Sequence, residues 1–323
     1  MKFYFLPQMN CADFNLLNRG EKRVLNLNIK LKKYEEDGHK INVGIVGAGQ
    51  MGRSLVSQML FVKGEKPAIL CDRNPGRAKS VFIKAGVDPD NIVETNSIML
   101  AQKAIECGKF VATEDYKIVP KVGNIDVVVD ATGVPDAGAQ LALLSIYNGK
   151  HIVMLNVETD VTVGPILKKM ADSAGVVYTV SAGDEPGAIK ELYDFAEGMG
   201  LEVLVAGKGK NNPMDIEATP DTVREKAAKQ NMSARMLASF VDGTKTMIEM
   251  TAVSNATGLL PSKRGMIGPK ATVKELPSVL SLKEQGGILD RYHVVEYVHG
   301  IAPGVFVIVT SKLEAIKEEM KYL

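Results

Sequence analysis

The chain has 323 residues, 46% hydrophobic and 24% charged, with a formal net charge of +1. That length admits two domains with sizeable cores, the composition is that of an ordinary globular protein, and the near-zero charge excludes the basic field that nucleic-acid binding needs. No apolar run approaches a membrane span, residues 1–7 are too short for a secretory core, and Cys11, Cys71 and Cys107 lack metal-ligand spacing, so reduced thiols and the cytoplasm are expected.

Residues 1–25 show no period and read as an extension; residues 27–37 (LNIKLKKYEED) carry apolar residues at helical spacing and predict an exposed amphipathic helix. Together they make an N-terminal segment, 1–40. The next stretch, 42–52, reads NVGIVGAGQMG and is followed by RSLVSQMLFV. A β-branched run leads into Gly47, Gly49 and Gly52 at Gly-x-Gly-x-x-Gly spacing and then into a helix. In that context the first glycine serves a tight turn, the second a close approach of a pyrophosphate, and the third the packing of helix on strand. Gly47, Gly49, Gln50, Met51 and Gly52 are therefore candidate dinucleotide-binding residues, with phosphates held at the helix start. A second run, 67–71, ends at Asp72, about where a carboxylate meets a ribose hydroxyl. Asp72 alone favours NAD; Arg73 would stack on adenine or meet the 2′-phosphate of NADP.

A turn at Arg73-Asn74-Pro75 precedes a helix over 75–84, and residues 88–124 hold a helix near 97–107 and a short strand near 116–119. Buried-type strands follow at 125–130 and 151–156, with a helix at 136–148 between them. A helix at 161–174 and a strand at 176–180 complete an alternation that means a doubly wound, parallel Rossmann sheet over 41–183. Asp130-Ala131-Thr132-Gly133 ends one strand and Asn156 another. Thr132, Gly133 and Asn156 are candidates for the cofactor cleft, because open parallel sheets bind ligands beyond their carboxyl ends; for the Thr132-Gly133 turn an ordinary strand-to-helix connection is an equal reading.

Beyond Gly183 the pattern changes to a second, α+β domain for substrate and dimerisation, over 184–303, followed by a strand and helix over 304–323. A helix at 186–199 and a strand at 201–206 lead into GKGKNNP, and a long, mostly helical region spans 219–257. Lys208 and Lys210, two apart on extended chain, share a face suited to a carboxylate, phosphate or alkoxide, or form a solvated edge; Gly207 and Gly209 leave room for a ligand, and Asn211 and Asn212 add hydrogen bonding. Asp242, Lys245 and Glu249 fall at i, i+3 and i+7 on one helix, hence on one face, where a lysine poised by carboxylates suits proton donation to a carbonyl, or else Lys245 and Glu249 make a surface ion pair. Asp184, Glu185 and Pro186 look like an acidic helix start, which capping alone explains; Glu185 is also a candidate for substrate. No metal site is expected.

Two segments, 153–187 (with MLNVETDVTVGP and YTVSAGDEPGA) and 206–249 (with AGKGKNNP, ATPDTV and MLASFVDGTKTMIEM), resemble the homoserine-dehydrogenase-like oxidoreductases. The resemblance is to the branch often carrying a C-terminal SAF domain, which includes a form of 1-deoxy-D-xylulose-5-phosphate reductoisomerase. It covers residues 27–323 and implies an NADP- or NAD-dependent homodimer that moves a hydride between nicotinamide and a carbonyl or hydroxyl of a small anionic substrate. It also strengthens Lys208, Lys210, Asp242 and Lys245 as catalytic candidates. Two departures stand out: Asn156 is followed by Val157 and Glu158, where homoserine dehydrogenases carry a lysine, and the sequence stops soon after GVFVIV, so no SAF domain is expected. The rival expectation is a dinucleotide-binding regulatory or scaffold protein without turnover.

Overall fold

The computed structural model describes residues 26–230 and 232–322; the expected extension over 1–25 lies outside them. The chain divides into two compact units, which part between Val180 and Ser181.

In chain order the first unit contains α1 (Leu27–Glu36), β1 (Ile41–Val46), α2 (Gln50–Met59), β2 (Glu65–Cys71), α3 (Pro75–Lys84), β3 (Ile92–Glu94), α4 (Ile98–Glu106) and β4 (Phe110–Thr113). It continues with β5 (Val127–Asp130), α5 (Pro135–Tyr147), β6 (His151–Met154), α6 (Val157–Ser173) and β7 (Tyr178–Val180). The strands form one seven-stranded sheet in the order β3-β4-β2-β1-β5-β6-β7, and every pairing is parallel. The chain winds outward from β1 and then returns to β5 beside it, which puts the topological switch point between these two strands. The continuous apolar strands are explained by helices on both faces: Ile45, Ile69, Leu70, Val128 and Ile152 are fully buried. This is the doubly wound Rossmann architecture.

Local signals set the helix starts. Asn74 caps α3 by accepting from the Arg77 N–H, and Pro75 occupies the first turn. Asn156 likewise caps α6, accepting from Thr159, so that helix starts at Val157 rather than near 161. The expected strand near 116–119 is instead turn followed by a 3₁₀ turn at Val119–Lys121. Asp115 accepts from the Lys117 N–H, which bends the chain. The strands of this region are β3 and β4, each too short to display a period.

The second unit holds α7 (Glu185–Gly198), β8 (Glu202–Lys210), α8 (Arg224–Lys229), α9 (Ala234–Val241), α10 (Thr244–Thr257), β9 (Leu260–Pro261), α11 (Leu276–Val279), β10 (Val294–His299), β11 (Val305–Thr310) and α12 (Glu314–Tyr322). Its sheet is mixed, in the order β11-β8-β10-β9, with β11 antiparallel and β10 parallel to β8. Ile189 and Ala196 of α7 and Met250 and Val253 of α10 pack with Val203 and Ala206 on one face. Leu276, Leu280, Phe306 and Ile308 belong to the core on the other. Among the described residues no helix is long and apolar enough to cross a membrane.

Candidate functional site

The glycine turn of the first unit has the geometry its spacing predicts. Gly47 follows β1 at φ +107°, and a Cβ there would come within 2.5 Å of the Ala131 carbonyl oxygen, so the turn requires both its backbone angle and its lack of a side chain. A Cβ on Gly52 would collide with the Gly47 carbonyl, which fixes how closely α2 packs on the turn. Gly49 differs: a Cβ there would meet no protein atom within 4 Å. Only its two neighbours are required by the fold itself. Gly49, Gln50 and Met51 are exposed, and the N–H groups of the first turn of α2 have no intrahelical partner. These residues fit a pyrophosphate.

Asp72 stands at the end of β2. Its Oδ2 accepts from the Ala48 N–H at 3.1 Å and its Oδ1 from the Asn74 N–H at 3.0 Å, with the Arg77 guanidinium 3.7 Å away. A carboxylate accepts about four hydrogen bonds, so capacity remains for a diol. Arg73 is exposed on the same loop. Beyond β3 and β4 lies a cleft of about 190 Å³ lined by Pro75, Thr95, Asn96, Thr113 and Glu114 among others, and the Thr113 carbonyl receives the Asp72 N–H.

Thr132 and Asn156 are both tied to a buried carboxylate beneath the loop. Asp130 is fully buried and accepts from the Thr132 N–H (2.9 Å) and hydroxyl (2.7 Å) and from Asn156 Nδ2 (2.9 Å). Asn156 is also fully buried, its Nδ2 reaching the Val134 carbonyl and its Oδ1 capping α6. Its amide is committed, so it acts by holding the loop that contains Gly133, which is exposed at φ +63°. Burial pushes the Asp130 carboxyl up, against the pull of its three donors.

In the second unit, β8 runs through the predicted GKGK loop, and Lys208 and Lys210 do share a face. Both are buried, at 6% and 5% exposure. The glycines between them make room for protein: a Cβ on Gly207 would lie 2.7 Å from the Phe306 ring, and one on Gly209 2.6 Å from the Ala302 nitrogen. The expected approach of a ligand to these glycines is thereby corrected. The lysines are also engaged. Lys208 Nζ donates to Glu185 Oε1 at 2.7 Å and to Glu249, and Lys210 Nζ donates to the Phe240 carbonyl at 2.7 Å. Asn211 is exposed and Asn212 half-buried beyond the end of the strand.

Asp242, Lys245 and Glu249 do not lie on one helix. Gly243, at φ +89°, separates α9 from α10. Asp242 ends α9 and accepts from the Thr244 N–H at 2.7 Å, so it shapes the junction between the two helices. Lys245 and Glu249 stay on α10, half-buried and buried respectively. The carboxylates of Asp184, Glu185 and Glu249 come within 4.8 Å of one another. Sequence reading joined Asp184 and Glu185 only as a cap, because Glu249 is 64 residues further on and no local spacing ties them. Three acids this close suggest a cation, and Lys208 provides one by bonding two of them.

Electrostatics follow from this packing. Burial opposes the charge on Lys208, but Glu249 and Glu185 outweigh it and raise its pKa. Burial and the charge of Lys208 lower that of Lys210. Burial also raises Glu249, against the pull of Lys208. Glu185 overcomes burial through hydrogen bonds with Asp184 and Lys208 and falls to about 2. Asp184 is pushed up to about 6 by burial, by its bond to Glu185 and by the charges of Glu249 and Glu185, with Lys245 pulling down.

Residues 183–323 match the family model described as Oxidoreductase DRL, catalytic domain. That match lies within the second unit of the chain. No curated protein matches it significantly. Similar solved structures include an oxidoreductase from Agrobacterium radiobacter in complex with NAD+, L-tartaric acid and magnesium (14% identity, TM-score 0.39, 55% of this chain and 45% of that one). An NAD binding oxidoreductase from Klebsiella pneumoniae has 16% identity and a TM-score of 0.38 over 63% of this chain and 54% of that one. The WlbA dehydrogenase from Bordetella pertussis, in complex with NADH and UDP-GlcNAcA, has 18% identity and a TM-score of 0.38 over 58% and 47%. The chain spans about half the length of the structures it matches.

Proposed function

We propose that this protein is an oxidoreductase that uses NAD or NADP and moves a hydride between the nicotinamide and a carbonyl or hydroxyl of a small anionic substrate. The observation that carries the reading is the glycine turn: Gly47 and Gly52 are filled by the protein's own backbone, while the space over Gly49 is left clear at the start of α2. Gly47, Gly49, Gln50, Met51 and Gly52 would hold the pyrophosphate, Asp72 the ribose, and the Thr132-Gly133 loop the nicotinamide side of the cleft. The cofactor supplies or receives the hydride; the protein must position the partners and manage one proton. Lys245 is a half-buried ammonium whose charge acts on both Asp184 and Glu249, which makes it a candidate to steady or protonate the substrate oxygen. Glu185, Asn211 and Asn212 remain substrate-binding candidates. Asp242 enters as the residue that shapes the junction before α10, and Lys208 as the cation that orders the acids.

The resemblance to homoserine-dehydrogenase-like enzymes supports a polyhydroxylated or carboxylated substrate, a sugar phosphate undergoing reductoisomerisation or a small hydroxy acid. Nicotinamide absorbance against a panel of hydroxy acids and sugar phosphates tests this. Turnover is expected, and Lys245→Met should lower it on the order of a hundredfold while a fluorescence titration of the dinucleotide stays near wild type. A binding protein without turnover would show the titration and no absorbance change.

A further inference from the structure

We propose that Asp184 is the residue that exchanges a proton with the substrate oxygen, taking it when a hydroxyl is oxidised and returning it when a carbonyl is reduced, which leaves Lys245 to steady that oxygen. This rests on the proposed function and names a group within the same site.

The geometry singles out Asp184 among the acids. Its carboxylate, that of Glu185 on α7 and that of Glu249 on α10 lie within 4.8 Å of one another, and three like charges so close cannot all be ionised together. The cations facing them are Lys208 from β8 and Lys245 from α10, while Lys210 acts on Glu249 from one pair of residues further along β8. Lys208 spends its hydrogen bonds on Glu185 and Glu249. Both of those acids have an ammonium in direct contact, although burial works against it at Glu249; Asp184, bonded to Glu185, is the acid that Lys208 does not bond and the one placed to carry the proton. Its titration near 6 agrees with that placement. Such a value is close to working pH, as proton transfer in either direction requires.

Access agrees as well. Asp184 is half-buried and follows exposed Ala182 and Gly183, whereas Glu249 is buried at 3%. Capping of α7 uses Oδ1, which accepts from the Glu185 N–H at 3.1 Å, and the side-chain bond to Glu185 is the one that a substrate oxygen would replace. The reaction balances. In oxidation the substrate O–H bond breaks and its proton goes to the Asp184 carboxylate; the C–H bond breaks with its electron pair passing as hydride to the oxidised nicotinamide dinucleotide; a C=O bond forms. Reduction is the reverse.

Asp184→Asn is the informative variant, because Asn caps a helix as well as Asp does and only the proton is lost. In the oxidation direction wild-type kcat/KM should fall as pH drops through about 6, where Asp184 becomes protonated. Asp184→Asn should lose that acid limb and on the order of a hundredfold in turnover, with dinucleotide binding unchanged, and Asp184→Glu should restore part of both. Carboxyl ¹³C NMR of the wild type should show an aspartate titrating near 6, which keeps the test open even if Asp184→Asn fails to fold. Turnover and acid limb unchanged in Asp184→Asn, or every aspartate titrating near 4, overturns this inference alone. Wild-type protein that binds the dinucleotide but turns over nothing in the panel overturns the proposed function and this inference together.

Discussion

A single carboxylate, Asp72, is the residue we propose reads the ribose. It already ties the glycine turn to β2 through the Ala48 N–H and keeps lone pairs free for a diol. Asp72→Ala should weaken NAD about tenfold or more, and NADP less, because the 2′-phosphate never used that carboxylate and can turn to Arg73. Equal losses in a fluorescence titration would show that Asp72 does not touch the ribose. Lys208 presents the opposite case, a charge whose partners are all internal. Lys208→Met would leave Glu185 and Glu249 facing each other with no ammonium between them, so a loss of about 3 kcal/mol or more is expected in denaturant unfolding. The sign with pH is fixed. Without Lys208, burial and mutual repulsion are left to raise the carboxyls of Glu249 and Glu185, so the variant should regain stability as pH falls and they take up protons. A variant as stable as wild type at neutral pH would mean the triad contributes nothing.

Elements explain which parts of the site could be read in advance. The glycine turn was legible because its three roles fall within six residues of one strand–turn–helix, and the apolar runs of β1, β2, β5 and β6 announce buried parallel strands. β3 and β4 escaped because strands of three and four residues carry no period. β8 was cut short at Gly207, where glycine reads as loop; its lack of a side chain instead admits Phe306 and the Ala302 backbone. Spacing along 242–249 is that of one helix face, yet Gly243 turns the chain with a left-handed angle and separates Asp242 from Lys245. Gly243→Ala should cost about 1–2 kcal/mol for that backbone angle, and more because its Cβ would lie 2.6 Å from the Met214 sulfur. An unchanged denaturant midpoint would show that α9 and α10 tolerate another junction. The acid cluster was beyond local reading altogether, since α7, β8 and α10 meet only through packing.

At the scale of the whole chain, two units with separate cores divide a nucleotide-type fold from a mixed sheet matched to an oxidoreductase catalytic domain. The second sheet ends in β11, an edge strand of β-branched residues beside β8, and apolar edges invite pairing. A homodimer formed through residues 184–323 is expected; light scattering that gave a monomer mass at micromolar concentration would remove that expectation. The claim on which the whole account turns is that the first unit holds a dinucleotide over Gly49. Gly49→Val tests it most directly. The side chain meets no protein atom near its Cβ, and Gly49 already has an ordinary φ of −70°, so folding and melting temperature should be unchanged. The valine nevertheless fills the space the pyrophosphate needs. A fluorescence titration should show NAD and NADP binding in the wild type and a loss on the order of a hundredfold in the variant; equal binding by the two proteins would contradict the account.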